Sequence, residues 1–543
     1  MFAIFFFVAS NIHAYVRFNP DYSNHRYNSI NNNNTQSNGQ FRIFNQKLDH
    51  FDPTNTKTFK QRYLVNDTYY RNSHTMYLYL NGEAPLRASR SDGEYALTLS
   101  KLHKAVLVVL EHRYYGESQP FTDHSTQNLK YLSAKQALAD AAHFAEWIKA
   151  NDLKALQIRK IVVVGGSYAG CLSAWFRMMY PHIAVAAISS SAPVVAKADY
   201  FEYDQHIRET LEKYSQECVV NIQKATTEIE EQIATDYPTV QKLLGCEKVS
   251  DKVDFLYVIA DMVSHSVQYN QFAGPEDKQM IKLLCDTLSQ APAAGKTIKD
   301  NMYDFVSKMF VNMDTNCYDF SSSAEILKDT TMDFTKSGRQ WTYQTCTEFG
   351  YFQVAPAENS LRSKQITLEY HYDLCEKIFG PEFRQPDIEA TNAFFGGEDM
   401  LGTNIAWVNG AADPWMRLSI IPRTVKGQNG EVKDDGRQQR QRWEIALIEN
   451  GSHCTDLREP NATTDSQSLV KAREMERTAI EYWFESSTFY TPKWQWSSPS
   501  AIFSMAMFGV SLLLLILSVI LVIVACVHHK NKRNPVAYKP INP

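Results

Sequence analysis

Three residues far apart in the chain have the types and settings that nucleophilic catalysis needs: Ser167, Asp413 and His453. Ser167 follows the β-branched run Ile161-Val162-Val163-Val164 and the pair Gly165-Gly166, and it precedes Tyr168-Ala169-Gly170 and the helix-forming stretch Leu172–Tyr180. A strand, a sharp turn and a helix let a serine hydroxyl stand clear at the end of a sheet. The pattern departs from G-x-S-x-G, because Ala169 holds the second flanking position and Gly170 comes one residue later. Alanine is still small, so the tight turn is retained. A serine hydroxyl is a poor nucleophile until a base takes its proton. His453, in Gly451-Ser452-His453-Cys454, is the candidate base, and Asp413, in Asn409-Gly410-Ala411-Ala412-Asp413-Pro414-Trp415, is the candidate for orienting it.

Each of these residues also has a plainer use. Ser167 would cap a helix, Asp413 would form a turn before proline, and His453 would sit in a surface loop. What favours catalysis is their recurrence, in the order Ser, Asp, His, each just after a predicted strand. The intermediate of acyl transfer also needs oxyanion donors, normally two backbone N–H groups. Tyr168, directly after the serine, offers one. The loop Asn81-Gly82-Glu83-Ala84-Pro85 offers a second at Glu83, although an ordinary glycine turn explains that loop equally well.

The elements that must position these groups read as a parallel α/β sheet. Thr75–Leu80, Ala105–Leu110, Lys160–Val164, Ile183–Ile188, Ile405–Asn409 and Arg442–Ile448 read as strands. Ser133–Ala150 reads as a helix, with Ser133 and Gln136 spaced as a capping box. From Ala196 the strand–turn–helix rhythm stops. Tyr203–Ala234 and Lys252–Tyr269 are helix-favouring, and Ser466–Glu485 reads as a closing helix. The expected fold is an α/β-hydrolase body in two parts, residues 41–195 and 391–485, with an inserted helical, disulfide-braced cap over residues 196–390.

The chain has 543 residues, with 44% hydrophobic content, 12% aromatic content and a formal net charge of −5. That length suggests more than one domain, and the charge gives no basic stripe for nucleic acid. Residues 1–14 read as a signal peptide, carried by the apolar run Phe2–Ala9 and lacking a basic n-region, and 15–40 as a disordered polar segment. Residues 486–500 read as a stalk. Ala501–Val527 carries no charge and is long enough to cross a bilayer as a helix, and His528-His529-Lys530-Asn531-Lys532-Arg533 follows it. The expectation is a single-pass type I membrane protein with a cytoplasmic tail at 528–543 and its catalytic body outside the cell or in an endosomal or lysosomal lumen. Tyr538-Lys539-Pro540-Ile541 resembles an endocytic sorting signal.

Eight cysteines precede the membrane segment, six of them between Cys218 and Cys375, as expected for disulfides in an oxidising compartment. A Cys171–Cys454 bond is a further expectation, should those segments meet. Asn33, Asn66, Asn450 and Asn461 head glycosylation sequons. Gly295-Lys296-Thr297 lacks the earlier glycine of a phosphate loop, and no cluster has zinc spacing. No metal or cofactor is called for, and a homodimer is possible in principle.

Several sequence blocks stand out together: Gln46–Phe51, Phe59–Tyr63, Glu111-His112-Arg113-Tyr114-Tyr115-Gly116-Glu117-Ser118, Gln136–Asp140, Gly165–Gly170, Ser190–Val194, Trp341–Cys346, Asn409–Trp415 and Gly451–His453. Together they resemble the family that contains lysosomal Pro-X carboxypeptidase, dipeptidyl peptidase II and thymus-specific serine protease. The resemblance runs from about Phe41 to Glu485, and the membrane segment departs from it. It implies an α/β-hydrolase body with Ser167 as nucleophile, Asp413 as acid and His453 as base. It also implies peptide substrates, often cut at proline near one end. A proline pocket needs flat apolar walls. Trp415 and Trp341 are candidates, with Phe349 read as core. A catalytically inactive adhesion or receptor ectodomain, or a carboxylesterase, would use the same fold.

Overall fold

Two apolar stripes on each central strand dictate the layers of the body. In Thr75–Leu80 (β3), Met76, Leu78 and Leu80 face one side, and Tyr77 and Tyr79 face the other. Val106–Leu110 (β4) and Lys160–Gly166 (β5) split the same way: Val108 and Val163 join the first face, Leu107 and Val162 the second. Side chains alternate along a strand, so a strand apolar on both faces must be covered on both. The computed structural model describes residues 41–486, apart from 92–93, 273, 276–277, 322, 427–431 and 435, together with 521, 523 and 524.

Arg42–Lys47 (β1) and Thr58–Asn66 (β2) pair antiparallel at one edge, and β2 runs antiparallel to β4. Thereafter β4, β3, β5, Ala186–Ser190 (β6), Ile405–Gly410 (β7) and Glu444–Ile448 (β8) are parallel, giving the order β1-β2-β4-β3-β5-β6-β7-β8. Tyr95–Leu102 (α1) and the helix Gln467–Ser486 cover one face through residues such as Leu99, Ile480 and Trp483. Ala134–Ala150 (α2) and Tyr168–Met179 (α3) cover the other through Leu138, Phe144 and Trp175. This is the mixed sheet between helical layers of an α/β-hydrolase.

Between β6 and β7 the chain is mostly helical. It runs through Glu202–Tyr214 (α4), Gln216–Leu243 (α5), Lys252–Gln268 (α6), Met280–Leu288 (α7), Ile298–Asn312 (α8), Gly338–Gln344 (α9), Leu368–Phe379 (α10) and Ile388–Phe395 (α11). Two short parallel strands, Lys197–Asp199 and Gly350–Phe352, stitch its start to its middle. Three disulfides, Cys218–Cys285, Cys246–Cys317 and Cys346–Cys375, all fall in this stretch.

Some sequence expectations shift. The predicted strand Ile183–Ile188 begins only at Ala186, because Ile183 and Ala184 donate their N–H groups to the Tyr180 carbonyl in the turn that ends α3. Both side chains are still buried, so apolarity alone cannot tell that turn from a strand. The capping box at α2 is half formed. Ser133 Oγ accepts from the Gln136 N–H at 3.3 Å, but the Gln136 side chain bonds Asp49 and the His50 N–H instead. The Tyr203–Ala234 segment breaks at Ser215, whose hydroxyl accepts the Cys218 N–H and caps α5.

The expected Cys171–Cys454 bond does not form. Both are free thiols, Cys171 buried in the core and Cys454 half-buried in the loop after β8. Among the described residues no helix is long and apolar enough to cross a membrane. The signal peptide, the Asn33 sequon, most of Ala501–Val527, the basic tail and Tyr538–Ile541 lie outside the described residues. Asn66 is buried, whereas Asn450 and Asn461 are exposed.

Candidate active site

The turn after β5 is strained in the way that presents a side chain. Ser167 has φ 58° and ψ −130°, a backbone conformation costly for any residue with a Cβ. Its N–H donates to the Ser190 carbonyl at 2.9 Å, and its own carbonyl accepts the Cys171 N–H as α3 begins. Gly165 is required here, since a Cβ on it would lie 2.0 Å from the Ala169 carbonyl oxygen. Ala169, the departure from G-x-S-x-G, fits because its methyl faces Gly82. A Cβ placed on Gly82 would touch that methyl at 3.4 Å. The Asn81–Pro85 loop thus lies beside the turn, and Glu83 within it is buried.

Asp413 and His453 follow the ends of adjacent parallel strands. The Asp413 loop after β7 is laced to the His453 loop after β8: the Ala411 N–H donates to Ile448 and the Ala412 N–H to Gly451. Asp413 Oδ1 accepts the Trp415 N–H at 3.0 Å, leaving Oδ2 for His453 Nδ1 at 2.8 Å. Both side chains are buried. Burial pushes the imidazole pKa down, but the Asp413 carboxylate and the Cys454 sulfur pull it up, and the net result lies well above the ordinary value.

The next residue ties this loop to the serine turn. Cys454 N–H donates to Ser191 Oγ at 2.9 Å. Cys454 Sγ lies 2.9 Å from where a Cβ on Gly166 would be, directly before Ser167. The carboxyl ends of β5, β7 and β8 therefore bring the three sequence-predicted residues to one end of the sheet.

Tyr168, the other sequence-predicted oxyanion residue, opens α3, where helical geometry leaves N–H groups without an intrahelical acceptor. Its phenol lies in a buried chain that the sequence did not reveal. The Arg113 carbonyl can only accept, so His112 Nδ1 donates to it at 2.7 Å and His112 Nε2 is an acceptor. Tyr168 Oη therefore donates to Nε2 at 3.0 Å and accepts from Gln344 Nε2 at 3.0 Å. Tyr115 Oη completes the chain, donating to Gln344 Oε1 at 2.7 Å. Burial lowers the His112 pKa to about 4, which keeps the ring neutral as this arrangement demands.

Aromatic rings line the neighbourhood. Trp341 packs 5.6 Å from Tyr168, and Tyr351 lies between Trp341 (6.5 Å) and Trp415 (5.4 Å). Trp341 and Trp415 are half-buried, while Phe349 is fully buried as a core residue. Tyr351 was not singled out from sequence. Its φ of 60° and its hydroxyl bond to the Pro193 carbonyl arise only from the folded chain.

Residues 46–476 match the family described as Serine carboxypeptidase S28. The chain belongs to that family. It is a serine-type peptidase of the S28 group. Among its relatives, the probable serine protease EDA2 of Arabidopsis thaliana is 36% identical over 386 residues, covering 69% of this chain and 75% of its own. The thymus-specific serine protease of Mus musculus is 29% identical, covering 81% of this chain and 86% of its own. The lysosomal Pro-X carboxypeptidase of Homo sapiens is 28% identical, covering 81% and 87%.

Proposed function

We propose that this S28 peptidase is a serine exopeptidase that cuts peptides at proline-containing bonds near a chain end. The observation that carries this reading is the buried Asp413–His453 hydrogen bond beside the strained Ser167 turn. Ser167 attacks the scissile carbonyl and His453 takes its proton. Asp413 fixes the Nδ1–H tautomer and favours the imidazolium that forms. The backbone N–H groups of Tyr168 and Glu83 receive the oxyanion. His453 then protonates the leaving amine, and water, activated by the same imidazole, releases the acyl-enzyme. Trp415 and Trp341 supply flat walls suited to a proline ring, and a relative bears the name Pro-X carboxypeptidase.

The three disulfides suit a lumenal or extracellular body. In this reading Asn450 and Asn461 carry glycans, and Ala501–Val527 anchors the chain. Carbonate extraction of membranes from expressing cells checks the anchor, because release of the protein into the supernatant refutes it.

A panel of proline-containing peptides and short-chain esters, read by mass spectrometry, tests the main reading. Cleavage one or two residues from a terminus, abolished in Ser167→Ala, is the expected result. Preference for esters would make the protein a carboxylesterase, and absence of any fluorophosphonate labelling would favour a binding role.

A further inference from the structure

The acid and base of the reading above, Asp413 and His453, stand on two loops of the α/β body, yet both loops are tied to one residue of the inserted helical stretch. Gln268 is the last residue of α6 and is buried. Its side-chain Oε1 accepts from Trp415 Nε1 at 3.0 Å and from Tyr203 Oη at 2.5 Å. Its backbone carbonyl accepts the His453 N–H at 2.9 Å. The preceding carbonyl, of Val267, accepts from Ser452 Oγ at 3.3 Å. These are carbonyls of the last turn, which α-helical geometry leaves without an intrahelical donor, so they are available to the His453 loop. Next in the chain, the Tyr269 ring stands edge-on to the His453 imidazole, with centroids 5.9 Å apart and an angle of 87°.

On the other side, Trp415 is two residues from Asp413, and its N–H already binds Asp413 Oδ1. One end of Gln268 therefore grips the Asp413 turn and the other grips His453. We infer that Gln268 is a positioning residue for the reaction, holding the acid and base loops in register from α6. This rests on the reading of Ser167, Asp413 and His453 as the catalytic groups. An amide oxygen has two lone pairs, and both are used here. Removing it strands two donors, Trp415 Nε1 beside the Asp413 turn and Tyr203 Oη on α4, and the pair of loops loses its common strut.

The test is the rate at which a fluorophosphonate labels Ser167, which needs the triad geometry but no proline pocket. Rates are compared on each variant's pH plateau, with melting temperature as the folding control. Gln268→Met keeps length and volume but removes the acceptor. It is expected to label at least ~10-fold more slowly, as misplaced reacting groups do. Gln268→Glu keeps an acceptor oxygen at the same reach and is expected to stay within ~3-fold of wild type. Should Gln268→Met not fold, Gln268→Asn, one methylene too short to span the contacts, replaces it in the same comparison. A folded Gln268→Met or Gln268→Asn that labels at the wild-type rate overturns the inference, as does a Glu variant as slow as the Met one. Hydrolysis surviving in Ser167→Ala would instead overturn the catalytic reading beneath it.

Discussion

Asp413 Oδ2 and His453 Nδ1 meet at 2.8 Å across loops that end two neighbouring parallel strands, and both groups are buried. A carboxylate so placed favours the protonated imidazole and raises its pKa against the opposing effect of burial. Asp413→Asn removes that pull. The acidic limb of fluorophosphonate labelling should then move to lower pH, because a less basic imidazole loses its proton earlier. The plateau should fall by about 10⁴-fold, since the wrong tautomer is no longer excluded. An unchanged plateau in the folded variant would remove Asp413 from the reaction.

Tyr168 separates a backbone role from a side-chain role. Its proposed oxyanion donor is the main-chain N–H, whereas its phenol joins Gln344 to His112. Tyr168→Phe leaves the N–H in place but strands the Gln344 donor and the His112 acceptor, at a cost of ~1–3 kcal/mol in stability. Labelling should slow by less than ~10-fold, because the donor to the oxyanion survives. Chemical denaturation and labelling of the same sample check both halves. A collapse in rate without a loss of stability would place the phenol itself in the chemistry.

What was legible in the sequence was local. The Ser167 turn announces itself because β-branched residues, two glycines and a helix former lie within a dozen positions. Asp413 and His453 stand out in the sequence through their strand ends and their order. Gln268, Gln344 and Tyr351 carry no such mark, because their partners are remote. Gln268 meets Trp415 across 147 positions, and Gln344 meets Tyr168 across 176. The blocks that carry the family resemblance are partly scaffolding for the same reason. Arg113 forms a buried, two-pronged pair with Asp140, and Glu111 pairs with Arg62 while accepting the Leu86 N–H behind the Asn81–Pro85 loop. Cysteine count pointed correctly to disulfides in the helical stretch. The Cys171–Cys454 bond, expected should the segments that hold Ser167 and His453 meet, is absent, and both thiols are free.

Gly410 sits where the acid and base loops cross. A Cβ there would lie 2.2 Å from the Gly451 carbonyl oxygen and 2.6 Å from that of Ser452. Both contacts are backbone, so no side chain can swing aside. Gly410→Ala should destabilise the fold by at least ~2 kcal/mol. In the fraction that folds, displacement of the His453 loop should cut peptide hydrolysis by ~100-fold or more. Thermal melts paired with turnover rates check this, and wild-type values for both would refute the crossing as a constraint.

The Cys218–Cys285 bond joins α5 to α7 across 67 residues. Closing a loop of that size contributes ~4 kcal/mol in the chain-entropy account. Replacing both cysteines by serine should lower the denaturant midpoint of the protein, and yield should fall in step. An unchanged midpoint would mean that packing among the helices already fixes their positions.

Arg362 serves two buried carboxylates and satisfies only one. Its Nε donates to Asp204 Oδ1 at 3.0 Å, and the Leu361 N–H donates to Asp204 Oδ2 at 2.9 Å. Asp261, on α6, is also buried, and its Oδ1 has no hydrogen-bond partner among the described residues. Burial outweighs the Arg362 charge and raises the Asp261 pKa to about 8. A carboxyl whose pKa is raised on folding favours the fold fully at pH values below its unfolded pKa. It loses that contribution as pH climbs toward its folded pKa. Asp261→Asn keeps the neutral shape without the charge. Its melting temperature should match wild type near pH 4 and exceed it by a few degrees at pH 8 and above. Parallel melting curves across that window check the sign, and a variant less stable than wild type at pH 8 would show that the ionised carboxylate is held by Arg362 after all.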